Sequence, residues 1–144
     1  MSDLLQHISL LDFAVLVQGT MVGSMLFFGG VMAPLIFIKL PADVAGPFIR
    51  QVFPVYYLVL AGLSLLAAAL SYPLDGLAAA VLLAVGAGFV AARQLLMPAI
   101  NRHRDAQLAG EGGGTSFDRL HRTSVVLNYT QLAAAIMVMI WLVR

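Results

Sequence analysis

Apolar residues in this chain come in long uninterrupted blocks separated by short polar stretches, with neither the strict alternation of a strand nor the stripe of a surface helix. The first block runs from Ile8 to about Ile38 and contains no Lys or Arg. It exceeds the roughly 20 residues that a helix needs to cross bilayer hydrocarbon, so it is expected to tilt or bend. Pro34 supplies a cause, because proline lacks an N–H and presses on the preceding turn. Gly29 and Gly30 soften the same region. The stretch 39–52, punctuated by Pro41 and Pro47, reads as a loop, after which Pro54 suits the first turn of a helix.

A second block ends at Ser71, and Tyr72-Pro73-Leu74-Asp75-Gly76 reads as a tight turn. The second and third helices are therefore expected to be antiparallel neighbours. The third block, Leu77 to Met97, stops at Pro98. It is followed by the polar run Asn101 to Asp105 and by Gly110 to Gly114, which has the composition of a flexible linker. A last block starts near Thr123 and reaches Arg144. The pattern predicts an all-α integral membrane four-helix bundle. It would form a single transmembrane domain over 1–144, with spans about 9–38, 54–71, 77–97 and 123–143 and a polar loop over 98–122.

Composition fixes the solvent. Hydrophobic residues make up 61% of the chain and charged residues 10%, and the mean hydropathy is +0.95, whereas soluble domains carry about a quarter charged residues. A chain this short leaves roughly 30% of its unfolded surface exposed even when folded in water, and that surface would here be apolar. Lipid is therefore the expected partner. The net charge of +1 gives no footprint for nucleic acid. The absence of cysteine excludes disulfides, thiolate metal sites and thiol catalysis. Residues Met1 to Asp12 hold Asp3 and Asp12 but no Lys or Arg, unlike the basic start of a cleaved signal peptide. The first span is thus expected to be retained.

The few charges are placed asymmetrically. Lys39, Arg50, Arg102, Arg104, Arg119 and Arg122 fall on one side of the predicted spans, and Arg144, Asp3 and Asp75 on the other. Basic flanks stay in the cytoplasm, so 39–52 and 98–122 are expected inside and both termini outside. In a Gram-negative host this means the inner membrane with periplasmic termini. Gly19 and Gly23, and Ala80, Ala84 and Gly88, have the small-residue spacing that permits close helix approach. That approach would serve packing within the bundle or homo-oligomerisation.

Polar side chains inside the spans are the informative exceptions: Gln18, Arg93, Asn128 and Gln131. At about 1.5 Å rise per residue, Arg93 and Asn128 both lie roughly 7 to 10 Å from the midplane on the cytoplasmic side. Gly29 and Gly30 fall at similar depth. Arg93 either faces the bundle, within reach of Asn128, or snorkels to the headgroups. His7 is placed outside; His103 and His121 lie inside, where they could share an ion with Asp105 or Asp118, or simply be solvated. No histidine pair matches in depth across spans as a bis-histidine haem requires. Hydrolytic and phosphoryl-transfer motifs are missing from the sequence, and Gly112-Gly113-Gly114, lacking a preceding strand, reads as a hinge. Asp12, at the outer edge of a span, is the one acidic candidate for proton coupling, which disfavours a classical secondary transporter.

Four stretches carry a family likeness: Phe28-Gly29-Gly30-Val31-Met32-Ala33-Pro34; Phe53-Pro54-Val55-Tyr56-Tyr57; Arg93 with Leu96-Met97-Pro98-Ala99-Ile100-Asn101; and Phe117 to Ser124 with Asn128. In these the chain resembles, over nearly its whole length, the transmembrane protein 205-like family, domain of unknown function 4149. The resemblance implies a small four-span membrane protein without an established reaction, whose eukaryotic relatives are linked to drug and metal resistance and to trafficking. Arg93, Asn101, His121, Ser124 and Asn128 are the matched polar positions near the cytoplasmic ends of the third and fourth helices. They form the expected ligand-binding set of a non-enzymatic binding or transport-associated protein. A fainter similarity to the anthrone-oxygenase-like family keeps open a small membrane oxidoreductase with haem or metal at His103 and His121. A structural subunit of a membrane complex is the third reading. The sequence itself specifies no cofactor.

Overall fold

The computed structural model describes residues 9–111 and 114–144. The expectations attached to Asp3, His7 and the Gly112–Gly113 hinge lie outside the described residues. Four helices are long and apolar enough to cross a membrane: α1 Leu10–Lys39, α2 Ala42–Ser71, α3 Gly76–Leu108 and α4 Gly114–Leu142. The described residues are otherwise turns and short connections.

Local chemistry explains where the helices begin. Ser9 caps α1 reciprocally: its hydroxyl accepts from the Asp12 N–H at 3.3 Å while its own N–H donates to the Asp12 carboxylate at 2.7 Å. Asp75 caps α3 by accepting from the N–H groups of Leu77 and Ala78 at 2.8 and 2.9 Å. Both α1 and α3 contain one π-helical turn, at Phe28–Met32 and Ala92–Leu96. Each turn sits just before a proline, Pro34 or Pro98. A proline cannot donate to the carbonyl one turn back, and the helix accommodates this by widening locally. Near Pro34, where a tilt or bend was expected, α1 carries this π turn.

Two expected loops are largely helical instead. The stretch 39–52 contracts to Leu40 and Pro41, because α2 already begins at Ala42 and carries Pro47 and Pro54 inside it. Helices packed in lipid tolerate interior prolines, since neighbouring helices re-satisfy the freed backbone. The early part of α2 is held by its own apolar face, where Ala45 and Ile49 pack with Ile36 against Phe28, Leu40 and Phe53. The segment 98–122 is likewise mostly helix. The third helix runs on to Leu108 with Met97 and Ile100 buried, and α4 starts at Gly114, earlier than the predicted Thr123. Arg50 ties α2 to this extension through a 2.6 Å ion pair with Asp105.

The helices stand in a ring. The closest packing is α2 on α3, the expected antiparallel neighbours; α1–α2, α3–α4 and α1–α4 complete the circuit, while α1 and α3, and α2 and α4, stand diagonally with their backbones apart. Met21, Met25, Tyr57, Leu60, Leu82, Phe89 and Ala135 fill the centre. Leu16, Phe37, Val55 and Leu95 are exposed on the outer faces, as a bilayer solvent requires. Alanines keep the α2–α3 seam narrow, and there the Ser64 hydroxyl donates to the Leu82 carbonyl at 2.6 Å.

Small residues divide into two roles. Gly88 lets α4 approach so closely that a Cβ there would lie 2.7 Å from Gln131 Nε2. That nitrogen donates to the Val85 carbonyl at 2.9 Å. Gly19 and Gly23, by contrast, have open space where a Cβ would stand. Among the described residues, the Gly19–Gly23 pair therefore seats no close neighbour.

Candidate functional site

Arg93 lies on the π turn of α3, and its side chain reaches α2. It is half-buried, and its Nε donates to the carbonyl of Pro54 at 3.1 Å. A carbonyl oxygen has two lone pairs, so it can take this donor besides a helical one. The guanidinium is thereby anchored at its root, and among the described residues its terminal nitrogens have no hydrogen-bond partner. The expected contact with Asn128 is not what holds it. Asn128, half-buried on α4, instead lies near the hydroxyl of Tyr56 on α2.

An aromatic wall stands beside this cation. Phe28, on the π turn of α1, stacks on Tyr56 with ring centroids 4.3 Å apart. Phe53 stacks on Tyr57 at 5.6 Å, and Tyr57 leans on Phe89 at 6.3 Å. Tyr57 and Phe89 are buried. The two π turns thus flank an aromatic cluster from opposite corners of the ring, with Phe89 one helical turn before Arg93 on α3. Arg93 on the Pro54 carbonyl, and Tyr56 near Asn128, put a planar cation, a phenol and a carboxamide in this part of the bundle. Such a set suits recognition of an anionic or carbonyl group on an apolar body.

The other predicted residues fall elsewhere. The Ser124 hydroxyl donates to the carbonyl of His121 at 2.7 Å, a bond within α4. His121 is exposed, its ring parallel to Phe117 at 6.0 Å, and Arg104 lies over the same Phe117 ring at 5.3 Å. Asn101 and His103 are half-buried on the extension of α3. Asp105 is engaged by Arg50. Among the described residues no three His, Asp or Glu side chains come together in a way that could hold a metal ion. His103 and His121, weighed as weak ligands of one ion with Asp105 or Asp118, belong to no such group among the described residues.

Sequence reasoning missed the Pro54 carbonyl and the aromatic wall as parts of the site. Phe53-Pro54-Val55-Tyr56-Tyr57 was visible as a motif, but backbone oxygens carry no sequence signal. The other two in-span polar residues, Gln18 and Gln131, are buried elsewhere in the bundle. Gln18 is fully buried, and among the described residues neither of its amide atoms has a partner; Gln131 is buried with its Oε1 likewise unpaired among them.

Four apolar helices closing around buried polar side chains define a multi-pass membrane protein. Within that class the chain belongs to the DUF4149 family, a domain of unknown function, which it matches over residues 16–108. That stretch includes Arg93, Pro54 and the whole aromatic wall, and ends where α3 ends. No curated protein and no solved structure matches the chain.

Proposed function

We propose that this is a non-enzymatic ligand-binding or transport-associated protein of the inner membrane, with both termini outside and the Arg93 site in the cytoplasmic half of the bilayer. One observation carries the reading: a guanidinium lies inside an apolar helix, fixed by its Nε on Pro54 and free at its terminal nitrogens. Charges within spans are costly and usually serve a pathway or a ligand. In this reading Phe28, stacked on Tyr56, and Asn128 near Tyr56 supply the remaining walls. Asn101, Ser124 and His121 lie further toward the cytoplasm on α3 and α4 and form, in this reading, the entrance to the site. The orientation rests on the basic residues gathered at that end.

Binding of radiolabelled benzoate, an aromatic carboxylate, to detergent-purified protein tests the reading. Arg93→Lys should weaken binding about tenfold or more, because an ammonium cannot both hold the Pro54 carbonyl and present a planar fork to the anion. Arg104→Lys, on the exposed extension of α3, should bind as wild type does. Equal binding by both variants would reduce Arg93 to an interfacial anchor.

A further inference from the structure

The two helical hairpins of this chain repeat one another. The register that carries the π turn Phe28–Met32 onto Ala92–Leu96 also carries Pro34 onto Pro98. It takes Gln18, Met25 and Ile36 onto Leu82, Phe89 and Ile100, and every buried residue of α1 onto a buried residue of α3. On the second helices, the register that carries Leu60 onto Gln131 takes Ser64 onto Ala135 and Ala67 onto Val138, all buried. Successive hairpins run in the same sense, as in parallel repeats related by an axis along the membrane normal. The ring agrees with this, since the equivalent helices are the diagonal ones.

The repeat exposes one place where the halves differ. In the first hairpin the α1–α2 seam is closed by the stack of Phe28 on Tyr56. The corresponding residues of the second hairpin are Ala92 and Leu127, and Phe27 and Leu35 likewise give way to Ala91 and Ala99. In place of rings lies a groove of about 330 Å³ between α3 and α4, lined by these residues with Leu95, Leu96 and Leu120. It opens sideways, since Leu95 is largely exposed. Arg102 follows Leu95 and Ala99 on the same face of α3, at the spacings that stack side chains along a helix, and is exposed at the groove's cytoplasmic end. Arg50 and Arg104 are engaged with Asp105 and Gln107. Among the described residues Arg102 forms no ion pair.

We infer that the α3–α4 groove seats one acyl chain of an anionic phospholipid whose phosphate rests on Arg102. The apolar lining fits the chain, and the unpaired guanidinium at its mouth fits the headgroup. This site does not rest on the Arg93 reading, because Arg93 leaves α3 on the side facing α2.

Native mass spectrometry of delipidated protein, titrated with phosphatidylglycerol or with phosphatidylcholine of the same chains, tests it. Wild type should bind phosphatidylglycerol about fivefold more tightly, the discrimination that one arginine near a membrane surface supplies. Arg102→Gln should bind both lipids alike. The double variant Ala91→Phe with Ala99→Leu restores the residues of the first hairpin at positions that are not fully buried. It should lose phosphatidylglycerol binding while unfolding at the wild-type temperature. If wild type binds both lipids equally, or the double variant keeps wild-type phosphatidylglycerol affinity, the inference fails. Should the double variant unfold early, Ala91→Phe alone, at an exposed position, decides the same question.

Discussion

Gly88→Ala probes the contact that seats α4 on α3. The new Cβ would stand 2.7 Å from Gln131 Nε2, closer than real Cβ atoms approach. Gln131 is 5% exposed and already leaves its Oε1 without a partner among the described residues, so its amide cannot yield cheaply. Forcing it away breaks the bond to the Val85 carbonyl, worth about 0.6 and at most about 1.7 kcal/mol in membrane bundles. It also leaves a second amide atom unpaired, so the combined loss is about 2 kcal/mol. Alanine's better helix propensity offsets up to about 1 kcal/mol, giving a net destabilisation of about 1 kcal/mol. In a Gln131→Ala background the clash has no partner, and the same substitution should be neutral or stabilising. The double-mutant cycle should thus return a coupling near 2 kcal/mol, read from unfolding by sodium dodecyl sulfate titration followed by circular dichroism. A coupling below about 0.5 kcal/mol would show that Gly88 and Gln131 do not meet as described.

Ser64→Ala removes a buried interhelical hydrogen bond to Leu82 and should lower stability by about 0.6 to 1.7 kcal/mol in the same assay; a gain would mean that the seam is strained rather than tied. Gln18→Leu replaces a fully buried amide that has no partner among the described residues and should raise stability by about 1 to 3 kcal/mol, whereas a marked loss would show that the amide is engaged in the membrane. A reporter active only in the cytoplasm should be silent when fused after Arg144 and active when inserted at Glu111, between α3 and α4. The reverse pattern would overturn the orientation drawn from the basic residues.

The sequence by itself determined the solvent, the number of helices and one bend. Hydrocarbon forces every spanning backbone to satisfy itself internally, so long apolar blocks can only be helices, and the missing N–H of Pro34 marks where α1 must widen. Proline was a poor guide where neighbours could compensate. Pro47 and Pro54 marked a loop and a helix start, yet both sit inside α2 because packing against α1 and α3 holds that helix together. Polarity misled in the same way at 98–108, where Met97 and Ile100 anchor an otherwise polar helix. Arg93 and Asn128 could be picked out as in-span polar groups, but each helix's rotation about its axis decides what such a group meets. Only the folded ring gave Arg93 the Pro54 carbonyl and set Asn128 near Tyr56. The same rotation turned Gly88 onto Gln131 and left Gly19 and Gly23 open, because small-residue spacing records which faces permit close approach, while the contacts of all four helices together choose which of them is used.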